Sequence, residues 1–288
     1  AERSHGGAAN NDTHPSAVKN DVLPGGNKAT LTLANGTTIV LDSARHEHLA
    51  VPAGSGINIG NGLLSYSQGQ TTGTNTVNSQ YNTLATPKGG QYQLELADGT
   101  KVWLNAASSI RYPTSFKGTA IREVQVTGEA YFEIAKRAGQ PFRGQVGTMQ
   151  VDVLGTRFTI EAYSDQPRIR TTLLEGGVRI TKGESSQVLK PGEQSQLTPG
   201  GQLKVVRDVD VDGTVAWKNG YFSFDQADLQ TVMLKIARWY NVNVVYEGPM
   251  MTQRFGGEIQ EKLTLSQVLT VLGKSQIDFK ISGNTLTI

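Results

Sequence analysis

Leu94-Glu95-Leu96-Ala97-Asp98-Gly99-Thr100-Lys101-Val102-Trp103-Leu104 reads as a β-hairpin. Leu94 and Leu96 alternate with polar residues on the outgoing strand, and Val102 and Leu104 do so on the return. Asp98-Gly99 supplies the left-handed conformations of a tight turn. The pattern also stands 63 residues earlier, in Leu31-Thr32-Leu33-Ala34-Asn35-Gly36-Thr37-Thr38-Ile39-Val40-Leu41. The turn glycines coincide, and so do the apolar positions on both sides of the turn, which favours a true repeat over two hairpins alike by chance. A repeated hairpin unit points to stacked β-turns, either solenoid-like or sandwich-like.

Turn signals continue downstream. Val124/Val126 alternate, Tyr131 to Ile134 forms a strand after Gly128, and Val151/Val153 alternate up to Gly155. Glu175-Gly176-Gly177, Pro191-Gly192 and Pro199-Gly200-Gly201 are further bends. Signals this frequent predict an all-β region over 85–212 with no helix. After Asp212 the period changes. Leu229, Val232, Met233, Ile236, Trp239 and Tyr240 fall at helical spacing, with Asp225 as the expected cap and Asp228 at the third helical position. Thr264 and Gln267 form a capping box for a second helix carrying Leu265, Val268, Leu269 and Leu272. Strands at 241–246, 254–259, 277–281 and 285–288 complete a βαβ-βαββ order. The fold expected is therefore mainly β with a C-terminal α+β domain over 213–288. Residues 28–84 hold the first hairpin and a polar loop, Gly69 to Asn82. Residues 1–27 have no periodicity and read as a disordered linker, either a tether leaving a membrane or a cloning remnant.

Composition narrows the function classes. Charged residues are 18% and the net charge is +2, and basic residues nowhere interleave with aromatics, so nucleic-acid binding is unsupported. There is no cysteine, which excludes disulfides, thiolate metal sites and thiol nucleophiles. All four histidines, His5, His14, His46 and His48, lie in the first 48 residues. A Ser-His or Cys-His nucleophile in the later regions is thereby excluded. No apolar run is long enough to span a membrane.

Several constellations favour their plainer readings. Asp208-Val209-Asp210-Val211-Asp212-Gly213 imitates the start of a calcium loop, but the twelfth position, which needs a bidentate glutamate, is Asn219. Alternating Val209 and Val211 suggest an interdomain strand instead. His46-Glu47-His48 could face two imidazoles to one side but has no third ligand nearby. Glu129 and Glu133 could serve glycoside hydrolysis in principle, although alternating strand carboxylates are usually solvated. Gly54 to Gly60 is glycine-rich with no following helix pattern, so it reads as loop and strand turns. Trp239 and Tyr240 read as core, and Arg238 beside them as an exposed contact. No catalytic, cofactor-binding or metal residue is expected.

Taken in order, the hairpin at 94–106 resembles the periplasmic region of FecR-type anti-sigma factors. So do Gly128-Glu129-Ala130-Tyr131-Phe132-Glu133-Ile134, Val153-Leu154-Gly155-Thr156-Arg157-Phe158, Thr172-Leu173-Leu174-Glu175-Gly176 and Leu189-Lys190-Pro191-Gly192-Glu193-Gln194. The resemblance covers about residues 84 to 288. Ala216-Trp217-Lys218-Asn219-Gly220-Tyr221-Phe222 and Arg238-Trp239-Tyr240 look like the C-terminal domain of the Bacteroidota branch, which is similar to the short domain of secretins and TonB-dependent receptors. The resemblance implies the periplasmic half of a regulator whose cytoplasmic helical domain and single inner-membrane helix are absent from this chain. It implies no enzymatic activity and no small-molecule ligand. The implied partners are the signalling domain of an outer-membrane TonB-dependent (SusC-like) transporter and, through the missing cytoplasmic domain, an ECF sigma factor. Arg238 and Arg254 are the expected partner contacts, because arginine makes several directed hydrogen bonds across an interface. The competing reading is an all-β carbohydrate-binding or carbohydrate-active envelope protein.

Overall fold

The computed structural model describes residues 21–42, 47–50, 56–67, 80–247, 252–273 and 277–288. The two hairpins read from sequence form with the same geometry. Leu31 stands opposite Ile39 and Leu94 opposite Val102, each pair one repeat apart. The turn bonds match as well: Leu33 N–H donates to Thr37 O and Gly36 N–H to Leu33 O, as Leu96 N–H does to Thr100 O and Gly99 N–H to Leu96 O. Gly36 and Gly99 have φ of 84° and 85°, the left-handed region that a side chain would make costly.

Two sheets sandwich one apolar core. The first runs from an edge at Thr38–Asp42 through Gly26–Thr32, Tyr81–Ala85 and Ser109–Pro113. It continues through Phe142–Val146, Met149–Val153 and Val178–Lys182 to Ser185–Leu189. The second begins at Glu47–Ala50, passes through Gly56–Gly60, Leu63–Ser67, Gly90–Glu95 and Lys101–Leu104, and ends with Arg157–Ala162, Ile169–Glu175, Gln194–Leu197 and Leu203–Val206. From Phe142 onward successive hairpins alternate between the sheets, so the sandwich grows in a solenoid-like manner. The region expected as loop and turns around Gly54 to Gly60 thus contributes a strand, and one core unites residues from both hairpin copies.

The strand Arg122–Glu133 belongs to both sheets. Its first half pairs with Phe142–Val146 and Ser109–Pro113. Its second half pairs with Lys101–Leu104 and Arg157–Ala162. The change of sheet occurs at Gly128, where φ is 76° and a Cβ would lie 2.4 Å from Ser108 Oγ. Only glycine fits this crossing.

The C-terminal module has its own core. Strand Tyr221–Asp228 pairs antiparallel with Arg254–Gln260. Thr285–Thr287 lies between Asn243–Val245, which is parallel to it, and Lys280–Ser282, which is antiparallel. A short helix α1 (Val211–Val215) and a 3-10 turn (Ala216–Asn219) lead into the module. Helices α2 (Leu229–Tyr240) and α3 (Leu265–Gly273) bury every apolar position that the periodicity assigned to them. The cap of α2 is Asp228, whose side chain accepts from Thr231 N–H at 2.8 Å. Asp225 remains in the preceding strand, which pairs through to Asp228 past an irregularity between Phe224 and Ala227. The segment expected as an interdomain strand at 208–213 is helical from Val211, with Asp210 as its N-cap.

The expected linker is also corrected. Residues 1–20 lie outside the described residues, but 21–26 form a strap across the C-terminal module. Asp21 accepts from Ser266 N–H at 3.0 Å and from the Ser266 hydroxyl at 2.5 Å, capping α3 from a distant part of the chain. Leu265 N–H donates to Val22 O at 3.0 Å, and Val22 packs against the module core. Gly25 lies flat on the Trp239 ring, where a Cβ would fall 2.6 Å from a ring carbon. Burial raises the Asp21 pKa, but the bonds from Ser266, Thr264 and Val22 outweigh it and lower the value overall. Its contribution is therefore present above the ordinary carboxylate pKa and lost as pH falls through the lowered one. Asp21→Ala should cost about 0.5–2 kcal/mol, the range for a lost helix cap. Denaturant unfolding checks the loss, and hydrogen exchange should place it in the first turn of α3.

Candidate functional site

The chemistry-bearing side chains gather where the C-terminal module meets the β-sandwich. The last turn of α2 provides the main contacts. Gly89 N–H donates to Arg238 O at 2.7 Å, and Gly26 N–H donates to Gly89 O at 3.0 Å. The Arg238 guanidinium lies 3.7 Å from the centroid of the Tyr163 ring and donates to the Asp165 carboxylate. Trp239 Nε1–H donates to Glu261 O at 2.9 Å. On the other side, Lys218 Nζ sits 4.6 Å above the Trp103 ring and 5.1 Å above Tyr131, an aromatic pair opposed across neighbouring strands. Cation–π contacts of this kind are worth about 0.5–2 kcal/mol each, more as water is excluded.

Beneath these contacts is a chain of polar groups crossing from one unit to the other. Gln91 Nε2 donates to Glu261 Oε2 at 3.3 Å and to Asn105 Oδ1 at 3.1 Å. Asn105 Nδ2 donates to Glu129 Oε2 at 2.8 Å. Tyr163 donates its hydroxyl to Ala106 O at 2.9 Å and stands 3.5 Å from Glu129 Oε2. Glu129, Glu261, Lys235, Arg238 and Trp217 line a cleft of about 30 Å³ here. That is room for one or two waters and far less than a sugar ring needs.

Both carboxyls hold their protons unusually tightly. Burial pushes Glu129 up to about 7, with repulsion from Glu161 adding to it and Lys235, the Asn105 bond and Arg238 opposing it. Burial pushes Glu261 up to about 8, with the Gln91 bond opposing and the Glu129 charge adding. Burial also raises the Tyr163 hydroxyl well above its ordinary range, helped by the nearby Glu129 charge.

The two arginines expected at a partner surface part company. Arg238 is 6% exposed and is held by its own chain, so it is not the exposed contact the sequence suggested. Arg254 is exposed, 3.5 Å from the cap carboxylate of Asp228 and 3.4 Å from Gln226 O. They stand near opposite ends of α2, about 18 Å apart for twelve residues of helix. Trp239 and Tyr240 are buried in the module core, as read from their spacing. Glu129 and Glu133 lie on one continuous strand. Their Cα atoms are about 13 Å apart at the usual rise, beyond either glycosidase spacing. Glu129 is also not the solvated strand carboxylate that alternation implied. His46 lies outside the described residues, and His48 pairs in a strand with Asn58. Among the described residues no group of three or more His, Cys, Asp or Glu could hold a metal ion. Gln91, Asp165, Lys235 and Glu261 carried no local signal in the sequence, since only the docking of the module brings them together.

The family model for FecR protein matches residues 82–179, and that for the FecR C-terminal region matches 221–288. Together they span more than half of the chain and fall on the two structural units in order. The chain belongs to the FecR family of anti-sigma factors. Two crystal structures of a protein from Parabacteroides distasonis, provisionally assigned as an anti-sigma factor, share this fold at 28% identity. One aligns with a TM-score of 0.65 over 71% of this chain and 97% of its own. The other aligns at 0.66 over 72% and 97%. Among proteins of curated function, none shows significant similarity to this chain. FecR proteins form a regulatory family, so the inter-unit contact is read below as part of a signalling protein.

Proposed function

We propose that this chain is the periplasmic, signal-receiving portion of an anti-sigma regulator anchored in the inner membrane. It relays a signal from an outer-membrane TonB-dependent transporter to an ECF sigma factor by protein–protein contact and has no enzymatic role. The observation that carries the reading is the pairing of the FecR and FecR C-terminal matches with a β-sandwich and a small α+β module, in that order. The transporter's signalling domain is proposed to dock on the module. Support comes from the module's edges: Asn243–Val245 and Lys280–Ser282 each have a single strand partner among the described residues. Val245 and Tyr246 are 44% and 38% exposed at one of these edges. An edge of this kind offers backbone donors and acceptors to an added strand. Arg254 remains the proposed side-chain contact.

Calorimetric titration with the periplasmic signalling domain of the neighbouring transporter tests this. Saturable binding of one domain per chain is expected, weakened by Arg254→Glu. A chain that ignores this domain but binds members of a glycan panel would support the carbohydrate reading instead.

A further inference from the structure

We propose that the contact between the β-sandwich and the C-terminal module is a proton-operated latch: protonated Glu129 and Glu261, one from each unit, hold the module down, and their ionisation loosens it. The proposal does not depend on which partner the module receives.

The geometry makes the two carboxyls a linked pair. Glu129 projects from the strand shared by both sheets, and Glu261 follows the module strand Arg254–Gln260. Gln91 and Asn105 join them in one hydrogen-bonded chain. Glu261 is 4% exposed, and Glu129 is partly open through the cleft. A protonated carboxyl keeps an acceptor oxygen for the amide that bonds it, so the chain survives protonation intact. When both groups ionise, two negative charges face each other across a poorly hydrated contact.

The surrounding charges do not cancel this. Glu129 faces Glu161 from the neighbouring strand, Lys235 and Arg238 from α2, and the Tyr163 hydroxyl. Glu161 is paired with Arg170 at 2.9 Å, and Arg238 is engaged with Asp165 and the Tyr163 ring. Lys235 Nζ donates to Ser223 O at 3.1 Å. Glu261 faces Glu129, Lys235 and the Tyr240 hydroxyl. The two cations thus already have partners, and they face both carboxylates at once.

The sign follows from proton counting. The docked state holds protons up to about pH 7 and 8 at Glu129 and Glu261. Once exposed, each group returns to a glutamate's ordinary value of about 4.3. Docking is therefore most favourable at acid pH, weakens as pH rises through the interval between these values, and levels off above about 8.

The test is amide and indole hydrogen exchange by NMR on the whole chain, corrected for the intrinsic pH dependence of exchange. The reporters are Gly89 N–H, bonded to Arg238 O, and the Trp239 indole N–H, bonded to Glu261 O. Phe132 N–H, inside the sandwich, serves as the reference. Opening at the two reporters should rise at least about tenfold from pH 5.5 to 8.5 while the reference stays level. The double variant Glu129→Gln, Glu261→Gln should keep the acid-pH protection across that range. A flat wild-type profile would overturn the latch, as would a variant whose profile still follows the wild type. Should the double variant fail to fold, carbon-detected titration of the wild-type glutamate carboxyls decides: both titrating near the ordinary value rejects the proposal.

Discussion

Arg122→Met is expected to destabilise the β-sandwich by about 3–5 kcal/mol, the usual result of stranding one partner of a buried ion pair. Arg122 and Asp98 have side-chain exposures of 0% and 2% and meet at 2.5 Å. Arg122 also donates to Ala135 O at 2.9 Å and through Nε to Gln140 O at 3.0 Å. Asp98 accepts from Thr100 N–H and the Thr100 hydroxyl within the second hairpin turn. In the first copy the equivalent Asn35 bonds only Thr37 N–H, so the charge pair is an addition to a shared turn. Without Arg122 the Asp98 carboxylate has no water and no counter-charge. Adding Asp98→Asn should recover a large part of the loss, because a neutral amide can still accept from Thr100. Denaturant unfolding of the two variants checks this; a loss under about 1 kcal/mol would mean that the pair is solvated.

The second large effect is expected at Phe132. Its ring is fully buried and stacks on Phe158 at 4.9 Å, with the planes 8° apart. It also packs 6.2 Å from Phe142, which belongs to the opposite sheet. Phe132 therefore joins the two layers just beyond the Gly128 crossing. Phe132→Ala removes that contact and leaves a cavity that strands on both sides hold open. The expected cost is about 3–5 kcal/mol. The module should remain folded at denaturant concentrations that unfold the sandwich of this variant, because its core is separate. A single transition showing no loss of stability would contradict this placement of the residue.

Local patterns were legible wherever the structure is local. The hairpin register, both turn glycines and the buried stripes of α2 and α3 follow from alternation, helical spacing and capping chemistry. The Thr264–Gln267 box is seen as Gln267 Oε1 accepting from Thr264 N–H. The start of α2 was misplaced because Asp225 and Asp228 are both competent caps. The pairing partner that extends the strand through Asp228 lies about 30 residues away in sequence. At 208–213, alternating valines imitate a strand, whereas Asp210 folds back on Gly213 N–H and starts a helical turn. Arg238 shows the limit for the site. Helical spacing set it beside the apolar face, but nothing local distinguishes an arginine meeting water from one meeting Tyr163 and Asp165. The strap at 21–26 was invisible for the same reason, since its partners are Ser266, Leu265 and Trp239, more than two hundred residues later.

The family assignment rests on both units, and the receiving role proposed for the module is open to direct measurement. Hydrogen exchange of the 288-residue chain, with and without the signalling domain of its transporter, reads the footprint residue by residue. The account predicts new protection in the module, along Asn243–Val245, Lys280–Ser282 or Arg254–Gln260, with the sandwich strands unchanged. Protection confined to the β-sandwich, or none at saturating signalling domain, would contradict it.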